Sequence, residues 1–159
     1  MLGLALILRL LCKVHVSMYL NSISRFVVDY GFIPKTTRSE IKDLPAMLEE
    51  GEALIAIAEA NIRLIKSSNI NVPGLVAATN RRLILLSRSY AGARLKESIL
   101  LTQISTANLK TTRTMCLIEV MAGGTLTTFW SYNFNTTCQF YKQLQSFIER
   151  TLINTDIHE

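Results

Sequence analysis

Residues Gly74–Ser87 read GLVAATNRRLILLS. Two short apolar runs flank the pair Asn80-Arg81. Each run has the length of a strand, and Asn tolerates the left-handed backbone of a two-residue turn, so the stretch predicts a tight β-hairpin. Similar runs recur on both sides of it. Ala53–Ala60 (ALIAIAEA) is short, apolar and bounded by polar residues. Arg94–Leu101, Ile104–Lys110, Thr114–Met121 and Thr125–Tyr132 are further strand candidates, the last rich in Thr and aromatics that suit a pleated surface. Gly123-Gly124 joins the final two as a second hairpin. Asn61–Pro73 reads as a long polar connection, Ser89–Ala93 as a turn around Gly92, and Thr111–Arg113 as another turn.

The period changes after Tyr132. Phe140, Tyr141, Leu144, Phe147, Ile148 and Leu152 recur at spacings of three and four, which places one apolar stripe on a helix. Thr136 and Gln139 fit a capping box at its start. The predicted order is seven strands followed by one helix. The fold class is mainly β: regularly spaced short strands suggest an antiparallel sandwich or barrel whose open end or face is covered by the C-terminal helix. Leu83, Leu85, Leu117, Phe129, Phe140, Leu144 and Phe147 are expected among the large core residues.

The part before the sheet is of a different kind. Met1–Cys12 (MLGLALILRLLC) is apolar except at Gly3 and Arg9, and it is too short for a membrane span, which needs about 20 such residues. Its charge follows the apolar run and no convincing cleavage site appears, so a secretory signal is not expected. Three readings stand: an amphipathic helix packed on the domain or a partner, a foot in a membrane surface, or a chain that starts at Met18. Asp29–Arg38, with Gly31 and Pro34, reads as a linker. Ser39–Glu50 reads as a short helix capped by Ser39, strained by Pro45 and ended by Gly51. The chain therefore divides into an N-terminal helical extension and linker (1–50), a β-domain with its helix (51–153), and a tail (154–159).

The chain has 159 residues, 49% of them hydrophobic, which is enough for a core of ordinary size. The three cysteines, Cys12, Cys116 and Cys138, are odd in number, irregular in spacing and set in apolar runs. They fit buried thiols in a reducing compartment rather than a disulfide framework. The net charge of +5 is unevenly spread. Between Ala60 and Ile118 nine basic residues stand against the single acid Glu97, leaving +8, while Glu40, Asp43, Glu49, Glu50, Glu52 and Glu59 gather before it. A positive field of this kind attracts phosphates, acidic head groups or acidic proteins, unless it is only a solvated face.

The runs GEALIAIAEA (51–60), GLVAATNRRLILLS (74–87) and SILLTQIST (98–106) resemble the bacterial pleckstrin-homology-like domains of the YokE-like type. The shared features are Gly51-Glu52 before the first strand, the Thr79-x-x-Arg82 hairpin, the Ile104-Ser105 pair that opens the fifth strand, and the closing helix with Phe140, Leu144 and Phe147. The resemblance covers about 100 residues and leaves the first 50 outside it. It implies a seven-stranded, strongly bent sheet capped by one helix, and little chemistry, because such folds serve as membrane, peptide and self-association modules.

Catalysis finds no support in the residues. The two histidines, His15 and His158, lie near opposite ends of the chain without Cys, Asp or His at ligand spacing. Phosphate-loop, dinucleotide and nucleophile-elbow patterns do not occur. No enzyme activity, cofactor or metal is expected. The candidate ligand-binding residues are the basic loop positions Arg63, Lys66, Arg81, Arg82, Lys110 and Arg113. At Thr79–Arg82 the alternative is turn geometry, with Thr79 bonding the backbone and Arg82 a carbonyl or an acid. The expected function is a non-catalytic binding or assembly module that takes a protein partner or a second copy of itself, in the cytoplasm. The alternative is a peripheral anionic-lipid binder that uses the basic loops and the N-terminal apolar segment as two weak anchors. Nucleic acid ranks last, because neither a reading helix nor interleaved exposed aromatics accompany the charge.

Overall fold

The computed structural model describes residues 38–63, 71–88 and 94–156. The expectations for Met1–Cys12, the linker, Lys66 and the Ser89–Ala93 turn lie outside the described residues. Seven strands form one antiparallel sheet: β1 (Leu54–Arg63), β2 (Asn71–Thr79), β3 (Arg82–Arg88), β4 (Arg94–Leu100), β5 (Ile104–Thr111), β6 (Cys116–Ala122) and β7 (Thr125–Ser131). Their spatial order is β4-β3-β2-β1-β7-β6-β5. The sheet is open, with β4 and β5 at its two edges. A helix, α1 (Arg38–Asp43), and a 3-10 turn (Leu44–Met47) precede β1, a second 3-10 turn (Leu101–Gln103) links β4 to β5, and α2 (Phe134–Asp156) closes the chain.

The inner face is built by alternation. Ala56, Ala58, Ala60 and Ile62 of β1, Val76 and Ala78 of β2, and Leu83 and Leu85 of β3 share it with Ile118, Val120 and Phe129. Helix α2 lies across this face and inserts Phe140, Leu144 and Ile148. The Phe140 ring meets Phe129 edge-on at 6.1 Å. The alanine row, poor in intrinsic strand preference, is what lets the helix approach β1; packing overrides propensity here.

The outer face is covered over β1–β3. Leu44 of the first 3-10 turn packs on Ile57, Leu75, Ala77, Ile84 and Leu86, with Ile41, Met47 and Leu48 around it. Strands β2 and β3 are thus buried on both sides, and this is why 74–87 reads as nearly continuous apolar runs rather than as alternation. Residues 38–52 are a working part of the domain, and the boundary expected at residue 50 falls inside this arrangement.

Several sequence expectations shift. Strand β1 runs on to Arg63 and β2 begins at Asn71, so the connection expected over Asn61–Pro73 shrinks to 64–70. Pro73 sits where β2 pairs with β1 alone, since the register with β3 starts at Gly74↔Ser87; a proline fits at such a position because no second neighbour needs its missing N–H. Ser39 lies within α1 rather than at its cap, and the α-helix gives way to the 3-10 turn at Leu44, where Pro45 occupies the first positions. Helix α2 starts two residues before Thr136. Its cap is Asn133, whose Oδ1 accepts the Thr136 N–H at 3.3 Å, in keeping with the preference for Asn over Thr. The helix also continues to Asp156, past the boundary expected at 154.

Leu117 points outward: buried residues in β6 are Cys116, Ile118, Val120 and Ala122, and Leu117 shares the other face with Glu119. Phe147 is only partly buried at the margin of the α2 stripe, with the Arg150 guanidinium 5.6 Å from its ring centroid; Ile148 takes the inner position.

Candidate functional site

Thr79-Asn80-Arg81-Arg82 forms the expected hairpin, and it is bolted to the strap before β1. Thr79 Oγ accepts the backbone N–H groups of Arg81 (3.1 Å) and Arg82 (2.9 Å), which fixes the turn. Its single hydroxyl proton goes to Glu52 Oε1 at 2.6 Å, the charge-assisted choice over the Arg82 carbonyl at 3.0 Å. Arg82 grips the same carboxylate with two hydrogen bonds, Nε to Oε1 at 2.9 Å and Nη2 to Oε2 at 2.8 Å. Nη2 also donates to the Met47 carbonyl at 2.7 Å, and Glu52 Oε2 accepts the Glu49 N–H at 2.8 Å. Asn80 completes the joint: its N–H meets the Ala53 carbonyl at 3.0 Å and its Oδ1 the Ala53 N–H at 2.9 Å.

Burial pushes the Glu52 pKa up, but the Arg82 hydrogen bond, the Glu49 N–H, the Thr79 hydroxyl and the Arg82 charge outweigh it and hold the carboxyl below its ordinary 4.5. The Arg82 pKa is raised by the hydrogen bond to Glu52, against burial, with the charges of Glu52 and Glu49 adding to it. Arg82 is therefore a structural cation here, as the turn-geometry reading has it.

The other basic candidates are dispersed. Arg81 is about half exposed and lies 3.6 Å from Glu49. Lys110 Nζ donates to Glu119 Oε1 at 2.8 Å. Arg63 is exposed at the far end of the β1–β2 pair. Thr79 pairs with Leu54 and Asn71 with Arg63, so nine strand residues, about 30 Å, separate it from the hairpin. Arg113 is exposed in the turn between β5 and β6, and Lys66 is outside the described residues. Arg94 meets Asp43 at 3.6 Å. Three of the nine basic residues, Arg81, Arg82 and Arg94, thus face the acidic block at 40–52 within the fold, and that part of the charge asymmetry along the chain is internal complementarity.

A different surface is apolar. Strand pairing places Leu117 opposite Trp130 and Met121 opposite Leu126. These four lie on the outer face of β6 and β7, beyond the area that residues 38–48 cover. Tyr132, 66% exposed, stands edge-on to Trp130 with centroids 5.1 Å apart, and Leu126 is 48% exposed. The Lys110–Glu119 pair lies among them. Beside this patch, towards β1 and β2, a hollow of about 600 Å³ is lined by Glu59, Asn61, Pro73, Tyr132, Phe134 and Asn135. The strand alternation of 114–132 was the signal that could have located this face: assigning Glu119 to solvent also assigns Leu117 and Met121 there.

Among the described residues no group of three or more His, Cys, Asp or Glu is placed to hold a metal, and no helix is long and apolar enough to cross a membrane. Cys116 and Cys138 are free thiols; burial, then the neighbouring Cys138, pushes the Cys116 thiol up to about 11.

No protein-family model matches the chain, and no curated protein does. Among solved structures it is similar to the N-terminally truncated linker-DH/PH domains of p115-RhoGEF, at 12% identity and a TM-score of 0.50, over 84% of this chain and 39% of that one. An open seven-stranded antiparallel sheet with one C-terminal helix across its inner face agrees with this likeness. The fold is pleckstrin-homology-like. Further likenesses are to the C-terminal domain of an unknown protein from Leishmania infantum (22% identity, 70% of this chain, 93% of that one, TM-score 0.49) and to a DUF1696-family protein with a pleckstrin-homology domain from Shewanella loihica (16%, 69% and 94%, TM-score 0.45). In this chain the Gly51-Glu52 and Thr79-x-x-Arg82 motifs form one joint, made where the strap enters β1.

Proposed function

We propose that this pleckstrin-homology-like domain is a non-catalytic binding or assembly module that engages a protein, another chain or a second copy of itself, in a reducing compartment such as the cytoplasm. The observation that carries this reading is the outer face of β6 and β7. It presents Leu126 and Tyr132 exposed, with half-buried Leu117, Met121 and Trp130 beside them around one ion pair, and aromatic and aliphatic side chains grouped on a sheet face are what protein interfaces use as anchors. The basic positions support it from the other side. Arg82 is committed to Glu52, Lys110 to Glu119, and Arg63 stands about 30 Å from the hairpin, which speaks against a single phosphate-binding patch that joins Arg63 to Arg82.

The alternative, an anionic lipid surface, draws on Arg63 and Arg113, which are exposed and make no ion pair among the described residues. Sedimentation of the full chain with phosphatidylcholine vesicles containing phosphatidylserine, at low and high salt, separates the two. A protein-binding module stays in the supernatant at both salts. Salt-sensitive pelleting that is lost in Arg63→Glu/Arg113→Glu transfers the function to the membrane surface.

A further inference from the structure

Cys116 and Cys138 come together from the two ends of the β6–β7 hairpin. Cys116 opens β6, pairs with Ser131 at the end of β7, and faces inward with Ile118 and Val120. Cys138 is the fifth residue of α2, which starts three residues after Ser131. Tyr141, one turn further along the same flank of the helix, donates its hydroxyl to the Ala107 carbonyl of β5 at 3.0 Å. That flank therefore overhangs β6 and β5, which are neighbours in the sheet. The Cys138 thiol is accordingly close enough to that of Cys116 to interact with it by charge and by hydrogen bond. Both are free thiols, Cys116 buried and Cys138 partly exposed.

The segment between them is the one that carries the apolar outer face. Leu117, Met121, Leu126, Trp130 and Tyr132 all lie within residues 117–137. A bond between the two sulfurs closes that whole segment into a ring and fastens α2 to β6.

The two thiols are not equivalent. Burial, and then the charge of Cys138, disfavour the Cys116 thiolate. An oxidant arriving from solvent therefore meets Cys138, and Cys116 is placed to respond. Conversion of Cys138 to a neutral sulfenic acid also removes the like charge that opposes ionisation of Cys116.

We propose that Cys138 and Cys116 form a peroxide-sensitive switch, in which a disulfide between them staples the β6–β7 hairpin to the first turns of α2. In the first step the Cys138 sulfur attacks one oxygen of hydrogen peroxide and the O–O bond breaks. Cys138 becomes the sulfenic acid, and its thiol proton leaves with the other oxygen as water. In the second step the Cys116 sulfur attacks the Cys138 sulfur and the S–O bond breaks. The Cys116 proton leaves with the departing hydroxyl as water. Two thiols are oxidised and one peroxide is reduced to two waters, and a thiol reductant reverses the change. The bond itself needs no partner; its bearing on docking rests on the reading of the β6–β7 face as an interface.

The test exposes the full chain carrying Cys12→Ser to hydrogen peroxide under native conditions. Remaining thiols are then blocked with iodoacetamide in denaturant and the peptides mapped by mass spectrometry. The expected product is a monomer in which the Cys116 and Cys138 peptides are joined with the loss of two hydrogens, and in which dithiothreitol restores both thiols. Joining should outrun alkylation of Cys116 in the folded protein, since that waits for unfolding. The oxidised chain should melt higher by roughly 5–15 °C, because the ring restricts the unfolded chain. In Cys116→Ala, dimedone should capture the Cys138 sulfenic acid and no linked peptide should form. Oxidation of Cys138 to the sulfinic acid while Cys116 stays a thiol overturns the proposal. So do links formed only between chains, links formed no faster than unfolding, or an oxidised chain that melts no higher. Each of these leaves the partner-binding reading standing. Salt-sensitive pelleting with vesicles removes that reading and leaves the peptide map unchanged.

Discussion

Glu52 and Arg82, thirty residues apart in sequence, meet in a two-point hydrogen bond beneath the β2–β3 hairpin, where the Glu52 side chain is wholly shielded from solvent and that of Arg82 is 14% exposed. The pair joins the strap before β1 to the hairpin that organises the sheet. A buried pair of this kind is a weak source of net stability, but breaking it leaves an uncompensated charge. Arg82→Ala should therefore destabilise the domain by about 3–5 kcal/mol in chemical denaturation. Glu52→Leu/Arg82→Met should cost clearly less than the sum of its two single changes, since no orphan charge remains. Additive costs would show that the two groups act independently.

The same pair sets a pH dependence. The folded-state pKa of Glu52 lies below its ordinary value of 4.5, so the folded state favours the carboxylate. Its contribution is fully present above pH 4.5 and is lost as pH falls through the depressed folded value. Melting curves taken downward from pH 5 should show this loss in the parent. In Glu52→Leu/Arg82→Met that part of the acid sensitivity should be missing.

Gly74 has no room for a side chain. A Cβ there would come within 2.4 Å of the Leu86 carbonyl oxygen, 2.7 Å of Ile62 Cδ1 and 3.0 Å of Ser87 Cβ. The carbonyl belongs to the paired strand and cannot move without disturbing the β2–β3 register. Gly74→Ala should cost about 1–3 kcal/mol, the range for overpacking a tight interior. A neutral result in thermal melts would mean that the two strands separate more easily than their pairing implies.

Two phenylalanines of α2 should respond unequally. Phe140 is fully buried against Phe129, so Phe140→Ala should cost about 3–5 kcal/mol. Phe147 sits at the margin beside Arg150, and Phe147→Ala should cost well under that. Equal losses would place the helix in a different rotation about its axis.

Thiol labelling should separate the two described cysteines. Cys116 is buried at the start of β6 with its pKa pushed up to about 11, which leaves little thiolate at pH 8. Iodoacetamide should modify the partly exposed Cys138 first, with Cys116 following only at the rate of unfolding. Prompt modification of Cys116 in the folded protein would contradict its burial.

Much of this architecture was legible. Asn80-Arg81 and Gly123-Gly124 marked their hairpins, and the change to a period of three and four after Tyr132 marked α2, because turns and periodicity are local properties. The errors arose where the deciding partner is distant. Asn61 to Pro73 reads as a loop because the run is polar, and Pro73 is compatible with a strand only where its neighbour on one side is absent. Leu117 looked like core because both faces of β6 carry apolar residues, and only Glu119 fixes the phase. The basic candidates are loop positions inside a block whose charge count treats it as facing solvent. Glu52 and Arg82 belong to opposite blocks, and only the crossing of the strap over the hairpin reveals that they neutralise one another. The apolar patch around Trp130 is assembled by strand register across β6 and β7, which no single run of sequence displays.

The unequal cover of the sheet also orders the way the molecule comes apart. Amides of β2 and β3 lie between two apolar layers and are paired with a strand on each side, so they reach solvent only when this packing and pairing open. Amides of β5, at an open edge with most of its side chains exposed, need far less. In deuterated water the protein should therefore take up label as a gradient across its strands: the β5 edge within the shortest exposures, and the β2–β3 hairpin only on the timescale of the whole fold opening.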